Sequence, residues 1–347
     1  MDSIKHNTII FVHIVEKGDL EKKSILLCNS IRKYCGIYKN SKIYAITPRL
    51  NKEVSINTKK IYKELNVDYI YKDINHKWYD QPYLNSIYGT AYIESLYLNE
   101  NVSLVYVDSD TFFINQPDEL DLIKNQRGIA VSPIDGIKSE IACYDINNIS
   151  DYWRNIYKLV GVYDNHIWYT KTIYDKIRII AYFNNGIMAV KPYLKIFNDT
   201  LNKIEEAYNN YYFSNLNPGS LERFYLDQAF ISAVVLKHNR NTVLTLSDNY
   251  NYSLPLFKNI SNKKFKTLIH IHYHSMFYFK NNLKIFKNNK PIYAFLKDYV
   301  PFYLDKKKKI IVFINSHLPQ KIKNKIRETY LIKIAYKLFK KLGLEIG

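Results

Sequence analysis

Short apolar strands alternate with helical stretches through the first third of the chain, and this alternation constrains the fold most. Residues 8–15 predict a buried strand, and residues 21–34 predict the helix that follows it. Residues 41–47 and 68–71 predict two further strands on either side of a helix over 54–64. Consecutive strands joined by helices pair in parallel, since each helix returns the chain across the sheet. The pattern therefore predicts an α/β domain whose ligand binds at the carboxyl ends of its strands.

Two acids stand at the end of a later apolar strand. Residues 102–107 are β-forming, and Asp108-Ser109-Asp110 follows them directly. The backbone turns at a strand end, so both carboxylates can converge on one hard cation. Mg²⁺ or Mn²⁺ prefers such oxygen ligands and can bridge them to a diphosphate. The alternatives are a solvated acidic turn and the Asp-x-Asp-x-Thr phosphatase signature, which needs a threonine where this chain has Phe112.

Two further segments carry polar side chains that suit the same edge of the sheet. Residues 179–190 predict two strands joined at Asn184-Asn185-Gly186, and Asn-Gly is a frequent hairpin turn. The predicted helix over 221–236 contains Asp227 and Gln228. The alternative is that these residues bind no ligand: the first segment is then a simple hairpin turn, and Asp227 and Gln228 are ordinary surface residues.

A row of histidines follows near residue 270. In residues 267–279 histidines alternate with apolar or aromatic residues, as the two faces of a strand require. This pattern places His270, His272 and His274 on one face. Imidazoles beside carboxylates form a normal mixed ligand set for a divalent cation. The polar face of an edge strand is the alternative interpretation.

In this order the motifs resemble the retaining GT-A glycosyltransferases of family 8, a group that includes glycogenin and bacterial lipopolysaccharide galactosyltransferases. The resemblance runs over about residues 8–280. It implies a GT-A (Rossmann-like) nucleotide-diphospho-sugar transferase that moves a hexose from a UDP-sugar to a glycan or lipid-linked acceptor, with retention of configuration. The implied metal is Mn²⁺ or Mg²⁺, held by Asp108, Asp110 and one of the three histidines. His272 is the best match because an aromatic residue follows it.

The resemblance also implies the residues of donor binding and catalysis. Asp227 is expected to hold sugar hydroxyls, and Gln228 to lie near the anomeric carbon. The family's lysine after the histidine strand is missing, and Lys280 is a possible substitute. The other donor-binding residues that the resemblance implies are Val12, His13, Ile14, Asp108, Ser109, Asp110, Asn184, Asn185 and Gly186. Of these, His13 could equally be a core histidine.

Basic residues are concentrated in the last quarter of the chain. The net charge is +18, and residues 257–347 hold 21 Lys+Arg and 4 Asp+Glu. Residues 321–342 predict an amphipathic helix with a basic face. We therefore expect a catalytic domain over 1–280 and a basic, mainly helical extension over 281–347 that binds an anionic membrane surface. A nucleic-acid-binding protein is the rival, although the sequence contains no known module of that kind.

Cysteine usage and the N-terminus predict a compartment. Cys28, Cys35 and Cys143 form no Cys-x-x-Cys pair, and an odd, sparse count fits a reducing environment. The apolar run at 9–12 is too short for a signal peptide or a membrane span. We expect a cytoplasmic protein, peripheral at the inner membrane face. An inactive GT-A scaffold is the remaining alternative to an enzyme.

Overall fold

The computed structural model describes residues 8–136, 141–217, 219–257 and 260–302. Within these ranges the strands are β1 (Ile9–Ile14), β2 (Lys42–Thr47), β3 (Asp68–Tyr71), β4 (Ser103–Val107), β5 (Thr111–Phe113), β6 (Ile129–Pro133), β7 (Tyr169–Lys171), β8 (Arg178–Ile180), β9 (Phe183–Val190), β10 (Val243–Thr245), β11 (Tyr252–Ser253) and β12 (His270–His272). The α-helices are α1 (Asp19–Tyr34), α2 (Ile56–Glu64), α3 (Asn85–Leu96), α4 (Asp151–Val160), α5 (Ile196–Tyr208), α6 (Tyr211–Ser214), α7 (Leu221–Phe224), α8 (Leu226–Leu236), α9 (Asn262–Thr267) and α10 (Lys290–Lys297).

Seven strands form the central sheet, in the order β10-β6-β9-β4-β1-β2-β3. Strands β4, β1, β2 and β3 pair in parallel, whereas β9 runs antiparallel to both β4 and β6. The alternation of strands and helices from β1 to β4 is confirmed. So is the predicted α/β class, with a mostly parallel central sheet.

Strand β1 shows why this sheet is the core. Ile10 and Val12 pack into the apolar cluster on one face, and Ile9 and Phe11 into the cluster on the other. A strand that is covered by helices on both faces needs apolar residues at every position rather than at alternate ones. The continuous apolar run at the N-terminus is therefore the signature of a central strand.

A second, three-stranded sheet has the order β11-β12-β5. The chain leaves β4 at Val107 and enters β5 at Thr111, so the two acids lie where the sheets join. The Asp108 amide donates to the Gly186 carbonyl of β9 at 2.9 Å, and the Tyr273 amide donates to the Asp110 carbonyl at 3.1 Å. One acid is thus fixed to the large sheet and the other to the small sheet.

The turn predicted at Asn184-Asn185-Gly186 is wrong. Strand β9 continues through all three residues, and its partner β6 pairs Val131 with Met188 but Ser132 with Asn184. The extra residues of β9 form a bulge at the carboxyl end of β6. A bulge re-aims side chains next to a site without ending the strand, and Asn-Gly has the local flexibility for either outcome.

Two other elements are shorter than predicted. The histidine strand extends only over His270–His272, because α9 precedes it and His274 takes a left-handed backbone with φ of 49°. The helix predicted over 221–236 breaks at Tyr225 into α7 and α8. Both breaks come directly beside polar residues of the predicted site.

The C-terminal part of the described chain packs against the small sheet. Phe286, Phe295 and Leu296 belong to the same buried cluster as Phe112 and Ile271. The domain boundary at residue 280 stays a prediction, and the helix predicted over 321–342 lies outside the described residues. In the described part of the chain, no helix is long and apolar enough to cross a membrane.

Candidate active site

A cavity of about 700 Å³ opens at the carboxyl ends of the central strands. The end of β1, the β4–β5 junction, the bulge of β9, the first turn of α8 and the histidines after β12 all contribute to its walls. This is where ligands bind to open α/β sheets. The predicted residues that line it are Ile14, Asp108, Ser109, Asp110, Asn184, Asn185, Gly186, Asp227, Gln228 and His272.

Asp110, His272 and His274 each offer a ligand atom within 4.8 Å of the others. The His272 Nε2 lies 3.1 Å from Asp110 Oδ1, and its Nδ1 lies 3.0 Å from Asn251 Oδ1. The His274 ring stacks on the His272 ring with centroids 3.7 Å apart, and its Nε2 lies 3.2 Å from Ser253 Oγ. A carboxylate and two imidazoles at this spacing are a suitable ligand set for a divalent transition metal.

Asp108 lies beside this group but is not part of it. Its Oδ1 accepts a hydrogen bond of 2.5 Å from the Tyr106 hydroxyl. Ser109, between the two acids, donates a short hydrogen bond from its hydroxyl to the Ile14 carbonyl at the end of β1. The Asp-Ser-Asp segment is therefore tied to β1, and its two carboxylates have different surroundings.

The surroundings separate the two acids electrostatically. Burial, followed by repulsion from Asp110, raises the pKa of Asp108 above its ordinary value. Burial would also raise the pKa of Asp110, but Lys23 and His272 outweigh it and hold that pKa below the usual range. For His272, burial lowers the pKa while Asp110 raises it, with a net increase. Asp110 is thus ionised at neutral pH and ready to bind a cation.

Lys23 is the cation that faces Asp110 in this structure. Its Nζ lies 3.6 Å from Asp110 Oδ2 and 5.3 Å from the centroid of the Tyr278 ring. Only 8% of the residue is exposed. Sequence reasoning missed Lys23, although Lys23, Leu26, Leu27 and Ser30 follow the spacing of one buried helix face.

A second polar group centres on Asn185. Its Nδ2 donates to Ser86 Oγ at 3.0 Å and to Asp227 Oδ2 at 3.1 Å, and its backbone amide donates to Gln228 Oε1 at 3.2 Å. Burial raises the pKa of Asp227 to about 7. Because Asn185 uses both its side chain and its backbone, the bulge of β9 sets the orientation of the Asp227-Gln228 pair.

Asp135 also lines the cavity and was not predicted as a site residue. It follows β6, and its Oδ1 has no hydrogen-bond partner in the described part of the chain. Burial raises its pKa to about 6. A buried carboxylate oxygen without a partner is costly unless a ligand or water satisfies it.

Several predicted residues lie elsewhere. Val12 is buried in the core, and the His13 Nε2 lies 2.5 Å from the Ser24 hydroxyl beneath α1. Neither residue lines the cavity, so Ile14 is the one of the three donor-binding residues predicted in β1 that does. Lys280 is exposed and also outside the cavity. His270 packs against the Phe113 ring at 4.7 Å between centroids.

Residues 11–239 match the protein family described as the Rhodobacterales glycosyltransferase domain. The match covers well over half of the 347 residues. The chain belongs to this family. It is therefore a glycosyltransferase, and the prediction of an enzyme is confirmed. No curated protein sequence matches this chain.

Two solved structures are similar to this glycosyltransferase. The apo structure of the bifunctional glycosyltransferase WbbM shares 17% identity over 79% of this chain and 47% of its own, with a TM-score of 0.43. The chain thus spans about half the length of WbbM. The apo form of mouse xyloside xylosyltransferase 1 shares 11% identity over 77% of this chain and 98% of its own, with a TM-score of 0.41.

Proposed function

We propose that this glycosyltransferase moves a hexose from a UDP-sugar to a hydroxyl of a glycan or lipid-linked acceptor, with a divalent cation and with retention of anomeric configuration. The observation that carries the proposal is that two polar groups line one cavity. Asp110, His272 and His274 form a ligand set for a cation, and Asn185 orients Asp227 and Gln228. The family-8 resemblance supports the same assignment of roles.

The residues present fit Mn²⁺ better than Mg²⁺, because two of the three grouped ligands are imidazoles. The His272 ring is held through Nδ1 by Asn251 at 3.0 Å, which leaves Nε2 on the Asp110 side. Metal-binding histidines are commonly oriented through their second nitrogen in this way. We assign Asp110, His272 and His274 as ligands. We also propose that Asp108, which lies beside this group, contacts the cation, as the resemblance implies. When bound, the cation would supply positive charge to a departing diphosphate.

The Asn185 group suits the sugar of the donor. One oxygen of Asp227 accepts a hydrogen bond from Asn185, and the other oxygen can accept a hydrogen bond from a sugar hydroxyl. Gln228 accepts from the Asn185 amide through its oxygen, so its NH₂ group remains for the anomeric region. An amide is a poor nucleophile. Retention is therefore better explained by attack from the face that the leaving group occupies.

Part of the cavity wall carries exposed aromatic rings. Tyr83 and Phe224 line the cavity with ring centroids 4.3 Å apart, and they are 49% and 40% exposed. Arg223 joins the two segments by an ion pair of 2.8 Å with Asp80. Each ring precedes a residue of the Asn185 group, Ser86 or Asp227, by three positions. We propose that the apolar face of an acceptor sugar packs on these rings, and that Asp135 accepts a hydrogen bond from it.

Hydrolysis and transfer assays test the central proposal. The protein is incubated with MnCl₂ or EDTA and a panel of nucleotide hexoses, and released nucleoside diphosphate is measured. We expect UDP release that requires the cation, with loss of at least tenfold in Asp110→Asn. Asp68→Asn, which alters an exposed carboxylate of β3, is the control. Metal-independent release, or full activity of Asp110→Asn, contradicts the metal site; inversion seen by NMR of the product contradicts retention.

We also propose that the glycosyltransferase acts at an anionic membrane surface on the cytoplasmic side. This proposal rests on the basic residues of 257–347. A chain that ends near residue 318 should pellet less with vesicles of phosphatidylglycerol than the full chain does. Equal pelleting of the two chains rejects the membrane role.

A further inference from the structure

Lys23 is buried in a cavity that is otherwise rich in acids. Four carboxylates line the cavity, from Asp108, Asp110, Asp135 and Asp227. Lys23 is the one lysine or arginine among the described residues that line it. A lysine that is only 8% exposed needs a charge partner to remain ionised. Asp110 is that partner, because its Oδ2 faces the Lys23 ammonium.

The ion pair has the geometry of an exchangeable contact. The Nζ to Oδ2 distance of 3.6 Å is longer than a hydrogen bond. The other Asp110 oxygen lies beside His272. A cation bound to Asp110 and His272 would place two positive charges next to the ammonium, and their repulsion would push Lys23 off the carboxylate. The ammonium has three donors on a flexible stem and needs another anion close by.

We infer that Lys23 binds the diphosphate of the donor. In the free enzyme it neutralises Asp110, and when the cation takes Asp110 the ammonium pairs with a phosphate oxygen. This inference rests on the proposed function. It places the diphosphate contact on Lys23 of α1 and not on Lys280, which is exposed and outside the cavity. The same charge would then stabilise the negative charge that grows on the leaving group.

The two contacts predict effects of opposite sign for Lys23→Met. Without nucleotide, the variant loses a positive charge beside the cation site, so Mn²⁺ should bind more tightly, by roughly tenfold. With saturating Mn²⁺, the variant loses a charge-assisted hydrogen bond to phosphate, so UDP should bind more weakly, again by roughly tenfold. Lys23→Arg keeps the charge and should retain most of the UDP affinity. Lys22→Met, on the exposed side of the same helix, is the matched control and should change neither.

Isothermal titration of the full chain measures both affinities. Tighter Mn²⁺ binding together with weaker UDP binding supports the inference. Two affinities that fall together, or that both stay unchanged, overturn it, because a lysine that only stabilises the fold does not separate them. Should Lys23→Met fail to melt cooperatively, Lys23→Gln replaces it under the same criteria. If the parent binds neither Mn²⁺ nor any of UDP, GDP and ADP, the proposed function fails first, and the inference fails with it.

Discussion

Gly186→Ala inserts one methyl group where the bulge of β9 meets the histidine of the candidate metal site. An ideal Cβ at this position would lie 2.8 Å from Asn184 Oδ1 and 2.9 Å from His272 Nδ1, and closer still to Asn251 Oδ1. Gly186 is not one of the positive-φ residues, so alanine is permitted by the backbone. The expected effect is therefore steric, and it is directed at the side chains that orient the imidazole.

The magnitude follows from what must move. Asn251 is fully buried and His272 is 5% exposed, so neither can swing into solvent. Overpacking of this kind costs about 1–3 kcal/mol, which in a chain of this size lowers the melting temperature by roughly 1–4 °C. Breaking the Asn251 contact with His272 Nδ1 should also weaken cation binding by about 10–100-fold, as loss of a residue that orients a metal ligand does.

Thermal melting with and without MnCl₂ checks both effects. The parent is expected to be stabilised by Mn²⁺, whereas Gly186→Ala should start lower and gain less. Gly219→Ala is the control, because its Cβ would make only an ordinary contact at 3.6 Å. A variant that melts with the parent and gains as much from Mn²⁺ would refute the proposed link between the bulge and the imidazole.

Three further outcomes are expected. The free energy of unfolding of Asp227→Asn should increase relative to that of the parent as pH rises from about 4 to about 7. The difference should reach up to about 4 kcal/mol and stay constant at higher pH. The reason is that burial raises the pKa of Asp227 to about 7, so ionisation costs only the folded parent; urea unfolding at pH 5 and pH 8 measures the gain, and equal gains contradict it. His274→Gln should weaken Mn²⁺ binding measured by titration. His270→Gln changes a histidine outside the ligand group, so it should leave the Mn²⁺ affinity within threefold when the fold is retained. If His270→Gln weakens Mn²⁺ binding more than His274→Gln does, the assignment of His274 as a ligand is wrong. Phe224→Ala should raise the KM for the acceptor and leave cation-dependent donor hydrolysis unchanged, and a loss of donor hydrolysis instead would place the aromatic pair on the donor.

The sequence predicts the parts of the fold that depend on local patterning. The continuous apolar run of β1 and the apolar run of β4 that ends in two acids both identify strands, and the acids lie at the sheet edge as expected. These signals are local because a central strand is buried on both faces wherever it lies in the sheet.

The remainder depends on contacts between distant segments. Nothing in Asn184-Asn185-Gly186 distinguishes a turn from a bulge, since the outcome is set by pairing with β6. The alternation near His272 predicted a long strand, but only the stretch that pairs with β5 adopts it. Val12 and His13 were carried over by resemblance, and the packing of α1 and Tyr62 keeps His13 in the core.

The junction between the two sheets has a mechanical consequence. Asp108 is hydrogen-bonded to the large sheet, whereas Asp110 and the two histidines belong to the small sheet and the segment that follows it. A cation bound by these side chains would therefore link the two sheets where they join. Backbone amides of β5 and β12 should then exchange with deuterium more slowly once the ion is bound, while those of β2 and β3 keep their rates, so occupancy of the site can be followed without any sugar present.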